Sequence, residues 1–171
     1  MERGRTKRIL QLFHLFYYCK EVSIEEITRG CSKDKSVSLK TYSRDIQLLK
    51  DAGLVQARYS KKDKAYIPLD ANKGFVHSEG KYLTPKLPES RLQRLYMEKI
   101  IRLCTLMTQV IMCEVENPIT WYRERYPDLS DRTRQRDFKQ LREVGYSVLY
   151  EGADEEGPGV FWYNYPQGLL Y

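Results

Sequence analysis

Apolar residues recur at three- and four-residue spacing from the start of the chain. Ile9, Leu12, Phe13, Phe16 and Tyr17 predict an amphipathic helix over about Thr6–Cys19. Ser23-Ile24-Glu25-Glu26 has the form of a capping box, in which the serine hydroxyl and the glutamate each satisfy a backbone N–H at a helix start. It opens a short helix carrying Ile24 and Ile27 that Gly30 ends. A polar connection, Cys31 to Val37, leads to Ser38, a cap for a third helix whose stripe is Tyr42, Ile46, Leu49 and Ala52. Gly53 follows its last turn, where a positive φ costs glycine nothing. Leu54–Tyr59, the turn Ser60-Lys61-Lys62-Asp63-Lys64 and Ala65–Leu69 read as strand, basic turn and strand.

The same order returns further on. Shifting Thr41–Leu54 (TYSRDIQLLKDAGL) by 92 positions lays it on Thr133–Tyr146 (TRQRDFKQLREVGY). Thr41, Arg44, Asp45, Leu49 and Gly53 meet identical residues, and Ile9 and Leu15 fall on Ile101 and Met107. Pro88 precedes a long helix, Glu89 to Cys113, with Leu92, Leu95, Tyr96, Ile100, Leu103, Met107, Val110 and Ile111 on its inner face. Asn117-Pro118 opens a short helix to about Tyr126, and Ser130 caps another with Phe138, Leu141 and Val144 inward and Gly145 at its end. Ser147–Tyr150 and Val160–Tyr165 flank an acidic loop in a second hairpin. Three helices and a hairpin form the order of a winged helix-turn-helix. The expected fold is therefore mostly α with small β-hairpins (α+β), two tandem winged helix-turn-helix domains related by the 92-residue repeat. Residues 1–70 make the first, 71–88 a linker rich in Gly, Pro, Lys and Ser, and 89–171 the second.

Charge separates the halves. Residues 1–80 carry 16 basic and 10 acidic side chains, whereas 81–171 carry 13 of each, so the net +6 lies in the first half. That asymmetry points to a polyanion partner for one half only. At 171 residues, with 42% hydrophobic and 30% charged, the chain has the composition of a folded protein. The most apolar stretch, Ile100–Val115, contains Arg102, Thr105, Thr108, Gln109 and Glu114, too polar for the ~18–20 clean residues of a membrane span. No signal-like apolar core follows the basic start, so a cytoplasmic, nucleoid-associated protein is expected. Cys19, Cys31, Cys104 and Cys113 lack metal-ligand spacing. Three of them follow apolar periodicity as buried thiols, while Cys31, in a polar stretch, is open to redox sensing.

The third helix of a helix-turn-helix enters the major groove, where every base pair shows a distinct donor and acceptor pattern. With its apolar stripe inward, this helix turns out Lys40, Thr41, Ser43, Arg44 and Gln47. Arg44 suits guanine and Gln47 suits adenine, while Ser38 and Thr41 suit phosphate. Arg58, Lys61, Lys62 and Lys64 in the wing, and Arg3, Arg5, Lys7 and Arg8 in an N-terminal tail, are expected on backbone phosphates. Asp45 is expected to be structural, holding a neighbouring arginine or an N–H of the preceding helix.

Residues 6–69 resemble the N-terminal winged-helix domain of bacterial DeoR-type regulators and of related regulators with a WYL effector domain. The likeness rests on Lys40-Thr-Tyr-Ser-Arg-Asp-Ile-Gln-Leu-Leu-Lys-Asp-Ala-Gly-Leu54, with its Thr, Arg-Asp pair, spaced leucine and Gly-Leu before the wing. The resemblance implies sequence-specific binding of double-stranded DNA, usually as a dimer, with Thr41, Ser43 and Arg44 at the DNA. It ends with the first domain, because the remaining residues repeat the winged-helix pattern where the family has an effector domain. No effector is assigned.

The second third helix offers Arg132, Arg134 and Arg136, with Lys139 and Arg142, as a further DNA contact, yet Asp154, Glu155 and Glu156 in its wing would repel phosphate. Packing against protein fits that helix equally. The surplus length of the helix at 89–113 suits a homodimer interface or simple intramolecular packing. Phe161, Trp162, Tyr163, Tyr165 and Tyr171 make either a hairpin core or an exposed patch. Catalysis is not expected: His14 and His77 are the only histidines, and no phosphate loop, nucleophile elbow or metal spacing is present, so no cofactor or metal is assigned. A tandem winged-helix module for protein–protein assembly is the main alternative, and RNA binding lacks a stacking motif.

Overall fold

A computed structural model describes residues 2–31, 37–76, 84–153 and 157–167. The architecture is α+β, with helices and two small antiparallel sheets. The chain divides into two compact units, residues 1–104 and 105–167.

The first unit opens with α1, Glu2–Tyr18, followed by β1 (Val22–Ser23), α2 (Ile24–Cys31), α3 (Leu39–Asp51), β2 (Ala57–Ser60) and β3 (Ala65–Pro68). The expected N-terminal tail is instead the first turns of α1. The reason is tertiary: Arg5 and Arg8 are held by groups on other elements, as described below. The capping box forms, with Ser23 N–H donating to Glu26 Oε2 at 2.7 Å and Glu26 N–H to Ser23 Oγ at 3.1 Å. Ser38 caps α3, accepting from Thr41 N–H at 3.2 Å. Gly53, at φ 75°, reverses the chain after α3. Ile9, Leu12, Phe13, Phe16, Ile27, Tyr42, Ile46 and Leu49 are buried and join the three helices into one core.

The sheet has the order β1-β3-β2, so the hairpin is extended by a strand that the apolar pattern does not announce. Val22 faces Tyr66 and Ser23 faces Ala65, while Arg58 and Tyr59 of β2 face Ile67 and Tyr66. The segment expected as a linker is attached to this unit. Phe75 is buried, 4.9 Å from the Phe16 ring, and its carbonyl accepts from Gln56 N–H at 2.9 Å. Lys86 N–H donates to the Asp51 carbonyl at 2.7 Å. Residues 77–83 of that segment lie outside the described residues.

Helix α4, Arg91–Thr105, runs straight into a π-helical stretch, Leu106–Ile111. The division between units falls at Cys104–Thr105, inside this helix, rather than at the expected linker. Its first part is fastened to α1: Thr6 Oγ1 and Tyr96 Oη are hydrogen-bonded at 3.2 Å, and Met97, Ile100 and Leu103 are buried.

The second unit continues with α5 (Pro118–Arg125), α6 (Asp131–Arg142), β4 (Ser147–Glu151) and β5 (Val160–Asn164). The Asn117 side chain accepts from Ile119 and Thr120 N–H, and Ser130 accepts from Thr133 N–H at 3.2 Å. Gly145, at φ 90°, ends α6; a Cβ there would also approach Pro166 Cγ at 3.1 Å. Leu106, Met107, Val110, Ile111, Tyr122, Leu141 and Tyr146 are buried. The hairpin pairs Leu149 with Trp162 and Glu151 with Val160.

Candidate nucleic-acid interface

The interface starts from α3, whose two faces differ sharply. Tyr42, Ile46 and Leu49 are buried, whereas Lys40, Ser43, Arg44 and Gln47 are exposed, as amphipathic spacing requires. Thr41 is half-buried, its hydroxyl 3.0 Å from Ser38 Oγ, so both hydroxyls that suit phosphate already take part in the helix cap. Gln47 Nε2 donates to Asp51 Oδ1 at 2.9 Å one turn along.

Asp45 is buried directly behind Arg44, and it meets arginines from α1. Arg8 Nε donates to Asp45 Oδ2 at 2.5 Å and Arg5 Nε to Oδ1 at 3.2 Å. The Arg5 guanidinium also lies over the Tyr96 ring, 5.0 Å from its centroid. The structural role expected of Asp45 is realised by these partners, and Arg5 and Arg8 are correspondingly committed inside the unit. They are not loose cations of a tail. Lys7 is exposed on α1, while the Arg3 side chain lies outside the described residues.

The turn between β2 and β3 presents Arg58, Lys61, Lys62 and Lys64, all exposed. Ser60 Oγ donates to Asp63 Oδ2 at 2.6 Å and accepts from Asp63 N–H, which shapes the turn, and Lys64 takes a positive φ of 50°. Helix and hairpin approach each other at Tyr66: Ser43 of α3 is near enough to act on its phenol, and its ring lies 5.2 Å from that of Tyr59. Burial raises the Tyr66 phenol above its ordinary value, with the nearby Ser43 hydroxyl acting against it. Ser43 thus sits at the junction of helix and hairpin, a role that the outward face alone does not disclose. Leu39 was also missed. It continues the apolar stripe in spacing, yet it is 54% exposed at the first turn of α3, next to Lys40. An apolar side chain at that end of a groove-reading helix suits the methyl group of thymine.

The corresponding helix of the second unit is built differently at its start. Asp131 stands in the first turn of α6, and Arg123 of α5 grips it with Nε at 3.2 Å and Nη2 at 3.0 Å; Arg134 Nε lies 3.5 Å away. These arginines hold the Asp131 carboxyl below its ordinary value, chiefly through the Arg123 hydrogen bonds. Arg132 and Arg136 remain exposed. Asp137 is buried and accepts from Tyr122 Oη at 2.7 Å. Asp154, Glu155 and Glu156 lie outside the described residues, as do His77 and Tyr171.

The hairpin aromatics split between the two readings. Phe161, Tyr163 and Tyr165 are half-buried, and Tyr163 Oη donates to the Val115 carbonyl at 2.5 Å. Trp162 is 59% exposed beside exposed Leu149 and Val160, its indole N–H donating to Glu151 Oε2 at 2.8 Å. Cys31 and Cys104 are buried, Cys113 is exposed, and burial pushes the Cys31 thiol up to about 12. A thiol so shielded is a poor redox sensor. Among the described residues no group of histidine, cysteine and carboxylate side chains could hold a metal ion, and no helix is long and apolar enough to cross a membrane.

Comparison with protein-family models, with characterised proteins and with solved structures finds no match to this chain.

Proposed function

We propose that the chain is a sequence-specific double-stranded-DNA-binding transcriptional regulator whose α3 reads the major groove. In this reading the first unit is a winged helix-turn-helix with β2 and β3 as its wing, and the second descends from a copy of the same unit, 92 residues on. The observation that carries it is the set of exposed cations on two elements, Lys40 and Arg44 on α3 and Arg58, Lys61, Lys62 and Lys64 on the hairpin, with Ser43 of α3 near Tyr66 of β3. Base edges are met by Arg44, Gln47 and Leu39, and phosphates by the lysines. Asp45, the acid beside Arg44, faces inward onto Arg5 and Arg8, so it does not repel the backbone of a duplex.

The second unit supports DNA contact less well, because Asp131 places a carboxylate where α3 has Leu39. Its open hairpin face, with Trp162, Leu149 and Val160, favours protein assembly as the role of that unit. Selection of bound duplexes from a random pool tests the main reading. Recovery of a shared motif that Arg44→Ala no longer enriches supports it; recovery of no motif, with a protein partner lost on Trp162→Ser, favours assembly.

A further inference from the structure

We infer that the crease between α3 and the β2–β3 hairpin seats one backbone phosphate of duplex DNA, with the Tyr59 phenol as its uncharged donor. The inference rests on the reading of α3 as the DNA-facing helix, and adds to it a contact that no cation supplies. Tyr59 stands directly across the ladder from Tyr66, so the two side chains leave the sheet on the same face. That face is turned toward the helices. Tyr66 meets the Phe16 ring of α1 edge-on at 6.1 Å and approaches Ser43 on the outward side of α3. Tyr66 is half-buried there, whereas Tyr59, on the outermost strand of the sheet, is 44% exposed. The Tyr59 ring has its neighbour in Tyr66, but its hydroxyl makes no hydrogen bond among the described residues.

Four rings run in a row from that hydroxyl into the core. Tyr59 lies 5.2 Å from Tyr66, Tyr66 6.1 Å from Phe16, and Phe16 4.9 Å from Phe75, with both phenylalanines buried. Each contact is tilted or edge-to-face, the arrangements that aromatic pairs favour. A phenol at the end of such a row has little side-chain freedom left to lose, whereas a lysine must be ordered when it binds. Lys40 on α3 and Lys61 and Lys62 on the turn are exposed on the two elements that border the crease, so the group drawn toward it is anionic. The oxygens of a phosphodiester accept hydrogen bonds, and the phenol O–H donates one. Such a contact carries no sequence information. It fixes how the strand backbone stands against α3, and with that the register in which Arg44 meets base edges.

Titration of the full chain, as Tyr59→Phe and as Tyr59→Lys, against the duplex selected from a random pool and an unrelated duplex of equal length, over a range of salt, tests the assignment. Tyr59→Phe keeps the ring and removes one oxygen. It should weaken both duplexes about tenfold, as the loss of a hydrogen bond to a charged acceptor predicts. A neutral donor releases no counterion, so the slope of log K against log salt should stay at the parent's value. Tyr59→Lys should recover affinity at low salt and steepen that slope by roughly one. Circular dichroism of each variant, unchanged from the parent, establishes that these substitutions at an exposed position leave the fold intact. A Tyr59→Phe chain that binds like the parent, a loss confined to the selected duplex, an altered slope in Tyr59→Phe, or an unaltered one in Tyr59→Lys overturns the proposal. Each of these results leaves the reading of α3 standing, because the parent still enriches its motif. A parent chain that enriches no motif removes that reading, and the phosphate contact with it.

Discussion

Arg8 on α1 donates to Asp45 on α3 at 2.5 Å, and the carboxylate it meets is almost completely out of solvent. Two cations, Arg5 and Arg8, surround one anion, and the three groups fasten the first helix to the third across 37 to 40 residues of chain. Losing one member of such a buried set leaves an uncompensated charge, which costs more than the interaction itself contributes. Asp45→Ala should therefore lower unfolding stability by about 3 kcal/mol, and Arg8→Met combined with Asp45→Leu should recover a good part of it. Urea titrations of the single and double variants measure both values. A single-variant loss below ~1 kcal/mol would mean that water already solvates the pair.

The second unit solves the same problem with a neutral donor. Asp137, 92 positions after Asp45, accepts from the phenol of Tyr122 at 2.7 Å. Under that shift Arg5 and Arg8 correspond to Met97 and Ile100, both apolar and buried, and Gly30 corresponds to Tyr122. The tyrosine brings its hydroxyl in from the short helix where the first unit has no side chain. Tyr122→Phe keeps the ring and removes the donor, so a loss of about 1–3 kcal/mol is expected, with aromatic packing against Tyr126 retained. Thermal unfolding, read by near-ultraviolet circular dichroism, checks both the shift and the preserved ring environment.

These two carboxylates mark the limit of what the chain discloses before folding. The caps at Ser23, Ser38, Asn117 and Ser130, and the turns at Gly53 and Gly145, are local matters of a few neighbouring atoms, and they stand where the pattern places them. That Asp45 is structural was legible from an acid on a cationic face. Its partners were not, because Arg5 and Arg8 lie in a basic run that reads equally well as a phosphate-binding tail. Phe75 sits among glycine, lysine and asparagine, where composition signals a linker; only its ring against Phe16 fixes that segment to the first unit. The π turn at Leu106–Ile111 is hidden for a different reason, since the apolar residues that line it suit an α-helix as well. At the candidate interface the outward set on α3 was legible from periodicity. The approach of Tyr66 to Ser43 depends on how a hairpin docks, which no spacing rule contains.

The thiols give a pH dependence with a definite sign. Burial raises Cys31 to about 12 and, with a contribution from Glu26, Cys19 to about 11, from an ordinary 9. In the folded chain these groups keep their protons in a range where the unfolded chain has released them. Their contribution to stability is therefore complete below pH 9 and is lost as the pH climbs toward 11 and 12. Tyr66 and Tyr163, raised by burial as well, act in the same direction. At pH 8 iodoacetamide should modify exposed Cys113 first and leave Cys31 and Cys104 untouched until denaturant is added. Peptide mass spectrometry over time resolves the order; early labelling of Cys31 would contradict its burial.

In the proposed DNA-binding reading, Arg44 and the lysines of the hairpin turn make two different kinds of contribution. A bidentate contact with guanine discriminates between sequences, so Arg44→Ala should cost about 1–3 kcal/mol on the selected duplex and much less on unrelated DNA. In that reading Lys61 and Lys62, exposed on the turn, meet phosphates rather than bases and contribute through release of counterions. Replacing both with alanine should weaken every duplex alike and reduce the slope of log K against log salt by about two, roughly one for each lost contact. Fluorescence anisotropy on matched and scrambled duplexes at several salt concentrations distinguishes the patterns. If Arg44→Ala instead weakens both duplexes equally while selectivity persists, base reading belongs to another face, and Leu39 with Gln47 would be insufficient to locate it on α3.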